Sequence, residues 1–392
     1  MVPERHDELI QLLQGLAESL DITDAQYEAA VKHYEAVGDW LNKDNSPIAV
    51  NDPKIYPQGS FRLGTMIKPI NDTDQYDIDL VCELKDLQKK NISQKQLKQM
   101  VGDRLMENER YRKMCKEGKR CWKLQYADST RFHMDILPAL PDGESFRLFL
   151  ENKGFSVDWT DLAIAITDTT LPNYEHIDDN WLQSNPKGYS EWFKERMKVQ
   201  FDTQRMILAK SLRESVEDVP EYKVKTPLQR SIQILKRHRD LIFPEKSQSN
   251  GKPISIIITT LAAHAYNNEV DLLEALINIV DGMPRFILRK DGDPWIENPT
   301  IPTENFADQW KEHQQQETNF RQWLQQVRVD LDATLSAESL RDMTKRLKPR
   351  FGDRIVNEVA SKAFPTYHVS ANALASAAPI ISITNPIKPW RP

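Results

Sequence analysis

Two aspartates stand two residues apart in the segment YDIDLVCEL, residues 76–84. Alternate residues of a β-strand point to the same face, so Asp77 and Asp79 would project side by side. Two carboxylates that close repel each other, and a divalent cation relieves the repulsion. Mg²⁺ prefers oxygen ligands and commonly binds through one or two carboxylates together with phosphates and water. Because apolar residues follow the pair and indicate a buried strand, the pattern predicts a magnesium site rather than a solvated surface.

A third carboxylate, Asp135, lies in the apolar segment RFHMDILPAL, residues 131–140. If the two segments form adjacent strands, Asp135 lies beside the first pair. Three carboxylates can hold two metal ions, Mg²⁺ or in its place Mn²⁺, between an attacking hydroxyl and a triphosphate. Asp135 would bind the metal that contacts the hydroxyl and could accept or relay its proton. We therefore expect Asp77, Asp79 and Asp135 to be both catalytic and metal-binding.

The segment QGSFRLGTMIKP, residues 58–69, precedes the aspartates and offers a phosphate cradle. Gly59 lets the backbone approach a phosphate closely. Ser60 offers a hydroxyl and, at the start of a helix, free backbone N–H groups for an anion. A Gly-Ser dipeptide alone is a common turn. Its combination with three strand aspartates predicts binding of a nucleoside triphosphate.

Hydrophobic periodicity predicts the elements that carry these residues. The first lobe mixes strands with helices and is α/β, whereas the chain after about residue 190 is mainly helical. Thr23 and Gln26 form a capping box that begins the second helix. The apolar run Ile254–Tyr266 is rich in β-branched residues but is expected to form a buried helix, because alanines continue it.

Four regions are expected from this organisation. They are N-terminal scaffold helices at 1–45, a catalytic lobe at 46–190, a helical lobe at 191–370, and an extended tail at 371–392. A chain of 392 residues exceeds what one hydrophobic core usually covers, which also favours two lobes.

Composition narrows the class of protein. A net charge of −6 gives no general attraction to nucleic acid or to anionic membranes. The three cysteines have no zinc-ligand spacing, so free thiols are expected. The N-terminus lacks the order of a signal peptide, and the longest apolar run is too short for a bilayer. These features predict a cytoplasmic protein without a membrane partner.

The motifs resemble those of the DNA polymerase beta-like nucleotidyltransferases. The superfamily signature is matched by Gly59-Ser60, Asp77-x-Asp79 and Asp135. The sequences around these residues narrow the resemblance to one family. QGSFRLGTMIKP, YDIDLV, HMDILPALPD, SNPKGYSEWF and NPTIPTENFADQW resemble the bacterial cGAS/DncV-like nucleotidyltransferases, or CD-NTases, of CBASS anti-phage systems. The resemblance spans about residues 45–315. It implies a two-lobed fold, with a mixed-sheet lobe and a helical lobe that hold ATP or another NTP between them.

The resemblance also implies contacts from the helical lobe to the donor triphosphate. Lys236 and Ser255 match such positions by segment and spacing, and Gln58 is a further candidate for nucleotide binding. Arg237 or Arg239 could be the phosphate contact in place of Lys236. Ser255 could equally be a plain helix cap.

The implied activity is synthesis of a cyclic di- or trinucleotide second messenger for anti-phage defence. A ribose hydroxyl would attack an α-phosphate, release pyrophosphate, and repeat the step to close the ring. Two alternatives share the same residues. One is a linear nucleotidyltransferase that resembles oligoadenylate synthases or RNA-tailing enzymes, and the other is a toxin-type enzyme that transfers NMP to a macromolecule. No zinc insertion like that of animal cGAS is present, so a DNA activator is not expected, although a regulatory protein partner is possible.

Overall fold

The computed structural model describes residues 3–44, 46–70, 75–126, 132–243 and 251–365. Its seven-stranded mixed sheet has the order β1-β2-β5-β4-β3, with β6 beside β5 and β7 beside β6. The strands are Pro53–Pro57, Tyr76–Leu84, Cys115–Glu117, Trp122–Gln125, Phe132–Pro141, Ile164–Ile166 and Leu182–Ser184 for β1 to β7. The central pair, β2 and β5, is parallel, and every other pair in this sheet is antiparallel.

Helices surround the sheet and form most of the remaining chain. In order from α1 to α14 they are Pro3–Ser19, Asp24–Asn42, Gly59–Arg62, Gln94–Glu107, Glu109–Met114, Gly143–Lys153, Pro186–Leu212, Pro227–Ile242, Ser255–Ala265, Leu272–Gly282, Gln309–Glu312, Gln314–Leu335, Leu340–Phe351 and Asp353–Ala363. Two small hairpins, formed by β8 (Leu288–Lys290) with β9 (Asp293–Trp295) and by β10 (Glu297–Asn298) with β11 (Ile301–Asn305), lie between α10 and α11.

The alternation of β2 divides its side chains between two environments. Tyr76, Ile78 and Leu80 point into the core between the sheet and helices α2 and α4. Asp77 and Asp79 point to the opposite face, as the sequence predicts. Apolar burial on one face therefore fixes the register of the strand and the direction of both carboxylates.

A second core lies among the helices. Side chains of α1 pack there with those of α8, α9, α10, α12, α13 and α14. The predicted buried helix at Ile254–Tyr266 is confirmed as α9, whose Ile257, Ile258 and Leu261 are fully buried. The β-branched residues of this segment are helical because the surrounding helices enclose them, and packing outweighs local propensity.

The two N-terminal helices pack into different cores: α1 packs with the other helices, and α2 packs on the sheet. The predicted capping box at the start of α2 is confirmed, with a 3.2 Å bond from the Gln26 amide to the Thr23 hydroxyl. The four predicted regions stay a prediction. The tail at 371–392 lies outside the described residues. Over the described helices, no stretch is both long and apolar enough to cross a bilayer.

Candidate active site

The parallel pairing of β2 and β5 assembles the acidic site. Its register sets Asp77 opposite His133 and Asp79 opposite Asp135. Each pair of residues two apart on a strand shares a face, so four polar side chains form a patch on the sheet. The adjacency of Asp135 to the Asp77–Asp79 pair, expected from the sequence, is thus observed.

His133 holds the first aspartate of the patch. Its Nε2 lies 3.0 Å from Asp77 Oδ1. The hydrogen bond to Asp77 raises the pKa of the imidazole and favours its charged form. Donor atoms of Asp77, His133 and Asp135 all lie within 4.8 Å of one another. The sequence motif draws attention to the aspartates alone, and only the strand register shows that a histidine completes this cluster.

Asp135 has one oxygen bound and one oxygen without a partner. Oδ2 accepts from Lys123 Nζ at 2.8 Å and from the Cys121 thiol at 3.3 Å. Oδ1 is buried and has no hydrogen-bond partner among the described residues. A buried oxygen in that state is costly, which indicates that Asp135 is arranged for a ligand. Burial and the neighbouring Asp135 raise the pKa of Cys121 to about 12, so the cysteine is a thiol at neutral pH.

Asp79 lies in surroundings that disfavour its charged form. Burial, followed by repulsion from Asp77 and Asp135, raises its pKa to about 7. Its Oδ2 lies only 2.5 Å from the position that a Cβ on Gly59 would take. Gly59 also has φ of +62°, a left-handed conformation that suits glycine. Gly59 and Asp79 are therefore in direct contact, and a side chain at position 59 would not fit there.

The short helix α3 follows this contact. The Gln58 amide donates to the Asp79 carbonyl at 2.8 Å and ties the helix start to β2. Ser60 lies in the first turn of α3, partly exposed. The structure thus places Gln58, Gly59 and Ser60 beside the aspartates, where the sequence predicts the phosphate cradle.

The β3–β4 hairpin, which carries Cys121 and Lys123, is held in place by Lys98 and Asp168. Lys98 Nζ donates to the carbonyls of Gly118 and Lys119 in the hairpin turn. Arg120 Nε lies 2.8 Å from the buried Asp168 carboxylate. The Thr170 hydroxyl and Arg120 hold the pKa of Asp168 down, at about 2. This carboxylate is fully partnered, unlike those of the patch.

Helix α8 grips the segment that follows α3. Side chains of its buried face donate to several backbone carbonyls within residues 63–68. Gln229 binds Leu63 at 2.9 Å, Gln233 binds Met66 at 2.9 Å, and Arg237 binds Lys68 at 2.6 Å. Buried amides and cations at helical spacing are the sequence signal for this contact. The sequence alone does not reveal this contact, because the partners of these side chains are backbone atoms far along the chain.

Lys236 is another α8 residue that binds this segment. Its Nζ lies 3.1 Å from the carbonyl and 3.2 Å from the hydroxyl of Thr65. Burial lowers the pKa of its amine to about 7, and Asp79 is close enough to oppose that shift. Lys236 therefore contacts the segment that follows Gly59 and Ser60, and it lies close enough to Asp79 to interact with its charge. Its predicted contact with a triphosphate stays a prediction.

Ser255 is the first residue of α9 rather than its cap, which is Ile254. The hydroxyl accepts from Arg239 Nη1 at 2.8 Å. Arg239 in turn pairs with Asp240 at 2.7 Å, so this candidate phosphate contact is already engaged. Arg237 donates to the Lys68 carbonyl but has a buried Nε without a partner among the described residues.

The donor set fits a divalent cation. Three carboxylates share one face, one of them has a raised pKa, and one has an orphaned oxygen. A cation would neutralise the repulsion and satisfy that oxygen. The arrangement therefore suits a divalent cation.

The chain is similar in sequence to known nucleotide-joining enzymes. Residues 53–138 match the family model described as the nucleotidyltransferase domain of cyclic GMP-AMP synthase DncV-like proteins. The chain is 28% identical over 348 residues to a c-di-GMP synthase of Roseivirga ehrenbergii, covering 88% of this chain and 85% of that protein. It is 26% identical over 377 residues to the cyclic dinucleotide synthase CdnG of Bradyrhizobium diazoefficiens, covering 91% and 83%.

Solved structures show the same fold. The chain superposes on the Bradyrhizobium diazoefficiens CD-NTase CdnG, solved in complex with GTP, with a TM-score of 0.67 at 24% identity, covering 91% of this chain and 99% of that one. It also superposes on CdnC of Escherichia coli MS115-1, solved as a CdnC:HORMA-deltaN complex, with a TM-score of 0.58 at 14% identity, covering 87% and 96%. The two-lobed polymerase beta-like fold is therefore confirmed.

Proposed function

We propose that this chain is a cGAS/DncV-like nucleotidyltransferase, a CD-NTase, and that it joins nucleoside triphosphates into a cyclic dinucleotide. The observation that carries the proposal is the carboxylate patch of Asp77, Asp79 and Asp135 in contact with Gly59. An acidic patch without a phosphate cradle would bind a cation only. With the cradle against it, the site can hold a triphosphate and activate it.

The three aspartates would hold the metal ions, which we propose to be Mg²⁺. When bound, the ions polarise the α-phosphate and neutralise charge that develops on the leaving pyrophosphate. The chain's own groups do the rest. Ser60 and the first turn of α3 hold the triphosphate, and the Asp135 carboxylate accepts the hydrogen of the attacking ribose hydroxyl.

The reaction is a substitution at phosphorus. A bond forms between the ribose oxygen and the α-phosphorus, the bond to the β-phosphate oxygen breaks, and pyrophosphate leaves. The hydroxyl proton passes to Asp135 and then to solvent. A second round within the linear intermediate closes the ring and releases a second pyrophosphate. The relatives named above are cyclic dinucleotide synthases, and one of them makes c-di-GMP. We therefore propose guanosine as one of the joined nucleosides.

The biological role we propose is a second-messenger synthase in anti-phage defence, acting in the cytoplasm, where NTPs are available. A regulatory protein partner is part of this proposal, since the related CdnC was solved as a CdnC:HORMA-deltaN complex. Lys236 and Ser255 are proposed to support the donor triphosphate from the helical lobe.

The decisive experiment incubates the purified chain with labelled NTPs and Mg²⁺. A cyclic product has no terminal phosphate and resists phosphatase, and mass spectrometry identifies its bases. Asp77→Asn and Asp135→Asn should each lower synthesis by about 10²–10³-fold or more, because each removes charge that stabilises the transition state. Asp103→Asn, an exposed aspartate on α4, is the matched control and should keep full activity.

Phosphatase-sensitive product would instead identify a linear nucleotidyltransferase. Label on protein or tRNA would identify an NMP transferase. Retained synthesis by Asp77→Asn, with contamination excluded, would defeat the assignment of the site itself.

A further inference from the structure

The loop between α9 and α10 holds a buried carboxylate whose partners are all neutral. Glu269 is only 9% exposed. Its two oxygens accept from the backbone N–H of Asn267 at 2.9 Å and from the side-chain amide of Asn278 at 3.0 Å. Within the part of the chain that the structure describes, Glu269 forms no ion pair with a lysine, arginine or histidine. A buried charge without a counter-charge is unfavourable, so this carboxylate calls for a cation.

An oxygen without a partner reaches the same loop from α7. Gln200 is 5% exposed, and its Nε2 donates to the backbone carbonyl of Asn268 at 3.0 Å. Because a carbonyl can only accept, this bond fixes which end of the side-chain amide faces the loop backbone. The Oε1 of the same amide is buried and has no hydrogen-bond partner among the described residues. A buried amide oxygen is unfavourable in that state, which indicates a ligand beside it.

Asn268 provides a further oxygen of the same kind. Its side-chain Oδ1 is buried and, over the described ranges, has no hydrogen-bond partner. The residue has φ of +60°, a left-handed conformation that is uncommon outside glycine. Asn268 is hydrogen-bonded to Gln200 and directly precedes Glu269, so the three residues are neighbours. Two unsatisfied amide oxygens therefore adjoin a carboxylate that lacks a counter-charge.

The chemistry of these atoms selects a metal cation. The unsatisfied atoms are oxygens, which can accept a hydrogen bond or bind a metal but cannot donate. A water molecule would satisfy the amide oxygens and would leave the charge of Glu269 unbalanced. Hard metal ions bind through carboxylates, side-chain amides and carbonyls, which is the donor set present here.

Charge balance favours a monovalent ion over a divalent one. One carboxylate neutralises one positive charge. Arg196 of α7 also lies beside this loop, where its Nε and Nη2 donate at 2.8 Å to the carbonyls of Ala263 and Tyr266. Its guanidinium thus caps the end of α9, and its positive charge opposes a divalent ion more strongly than a monovalent one.

We propose that Gln200, Asn268 and Glu269 bind a monovalent metal cation, Na⁺ or K⁺, that links α7 to the loop between α9 and α10. The ion would stabilise the folded chain, because only folding brings these residues together. The inference does not depend on the proposed function, since none of the three residues belongs to the acidic patch or to the Gly-Ser turn.

Thermal unfolding of the full chain measures this stabilisation. The melting temperature is compared in choline chloride, NaCl and KCl at equal ionic strength with EDTA present, so that charge screening is the same in all three. Above its Kd, each tenfold rise in Na⁺ or K⁺ should raise the melting temperature by about 2 °C. Choline, a bulky organic cation, should give no such rise. The salt with the larger effect identifies the ion.

Two variants remove one ligand each. Glu269→Gln removes the charge, and Asn268→Gly removes the side-chain oxygen at a φ that glycine adopts readily. Each should lose most of the rise with Na⁺ or K⁺, and circular dichroism checks that each is folded. Asp291→Gly is the matched control, because Asp291 is exposed and has φ of +54°. This control also removes a side-chain oxygen at positive φ and should keep the full rise.

Thallium(I), a heavy monovalent substitute, locates the ion in the parent protein. Crystals soaked in thallium acetate should show an anomalous peak between Gln200 and Glu269, and absence of a peak there overturns the proposal. Equal melting temperatures in choline chloride and in both metal chlorides also overturn it, as does a rise that folded Glu269→Gln and Asn268→Gly retain. A titration with CaCl₂ in place of EDTA tests the charge, because a response to Ca²⁺ without one to Na⁺ or K⁺ contradicts a monovalent ion.

Discussion

Asp79 and Asp330 are both partly buried aspartates, but the charges around them have opposite signs. Asp79 faces two other carboxylates, and its pKa is raised to about 7 by burial and by these neighbours. Asp330, on α12, accepts hydrogen bonds from His238 and Gln326 and pairs with Arg350. These partners outweigh desolvation and lower its pKa to about 2.

The difference separates a functional carboxylate from a structural one. The chain itself supplies the partners of Asp330, which therefore contributes to stability through links between α8, α12 and α13. Asp79 is left without a full set of counter-charges, and an external cation would supply them. Asp168 is a structural carboxylate like Asp330, because Arg120, Lys119 and Thr170 supply its partners.

The sharpest test removes one charge from each region. Asp79→Asn should lower synthesis by about 10²–10³-fold and leave metal-free stability equal or higher, because it relieves repulsion. Asp330→Asn should retain synthesis and lower the free energy of unfolding by about 1–2 kcal/mol, a figure reduced for its partial exposure. Product assays and chemical denaturation of both variants check this. A stability loss in Asp79→Asn would show that Asp79, like Asp330, is a structural carboxylate.

Gly59→Ala tests how closely the cradle must approach the patch. The added Cβ would lie 2.5 Å from Asp79 Oδ2, at a residue with φ of +62°. We expect about a 10²-fold loss of synthesis, since displacement of a reacting group by an ångström has that effect. Gly154→Ala is the matched control, because Gly154 has φ of +72° but nothing within 4 Å of its added Cβ. The control shares the backbone strain and should keep its activity.

His133→Leu tests whether the histidine positions Asp77. Loss of the 3.0 Å contact should weaken Mn²⁺ binding about tenfold, the usual effect of removing a partner of a metal ligand. His133→Gln, which retains a donor, should recover part of the affinity. Electron paramagnetic resonance of free Mn²⁺ measures both without an activity assay. Equal Mn²⁺ affinity in His133→Leu would show that Asp77 needs no such support.

The two aspartates should also give opposite pH dependence in metal-free protein. The pKa of Asp79 is about 7 in the folded protein, above its ordinary value of 3.8, so its carboxyl favours the fold below pH 4 and this contribution is lost as pH rises toward 7. Asp79→Asn should therefore gain stability over the parent with rising pH, by on the order of 1–3 kcal/mol.

Asp330 behaves in the reverse way. Its stabilisation is present above its ordinary value of 3.8 and is lost as pH falls toward 2. The deficit of Asp330→Asn should shrink over that range. Thermal unfolding in EDTA as a function of pH measures both trends, and parallel curves for the two variants would contradict the comparison.

Short-range patterns were enough for some of the structure. The alternation of β2 determined which face carries Asp77 and Asp79, because the apolar residues between them must be buried. The capping box at Thr23 located α2 for the same local reason. The motif also identified Gly59 and Ser60 as neighbours of the aspartates, since their residue types serve a phosphate.

Other features were decided only when distant segments met. Nothing near Asp135 in the sequence indicates Lys123 or the orphaned oxygen, which follow from the register of β4, β5 and β2. The carbonyls bound by α8 lie more than 160 residues away along the chain. The sequence alone determined the residue types that can do the chemistry and the strand face that presents them. Tertiary packing decided which charges are balanced and which are left for a ligand, because electrostatic partners depend on distance in space and not on order along the chain.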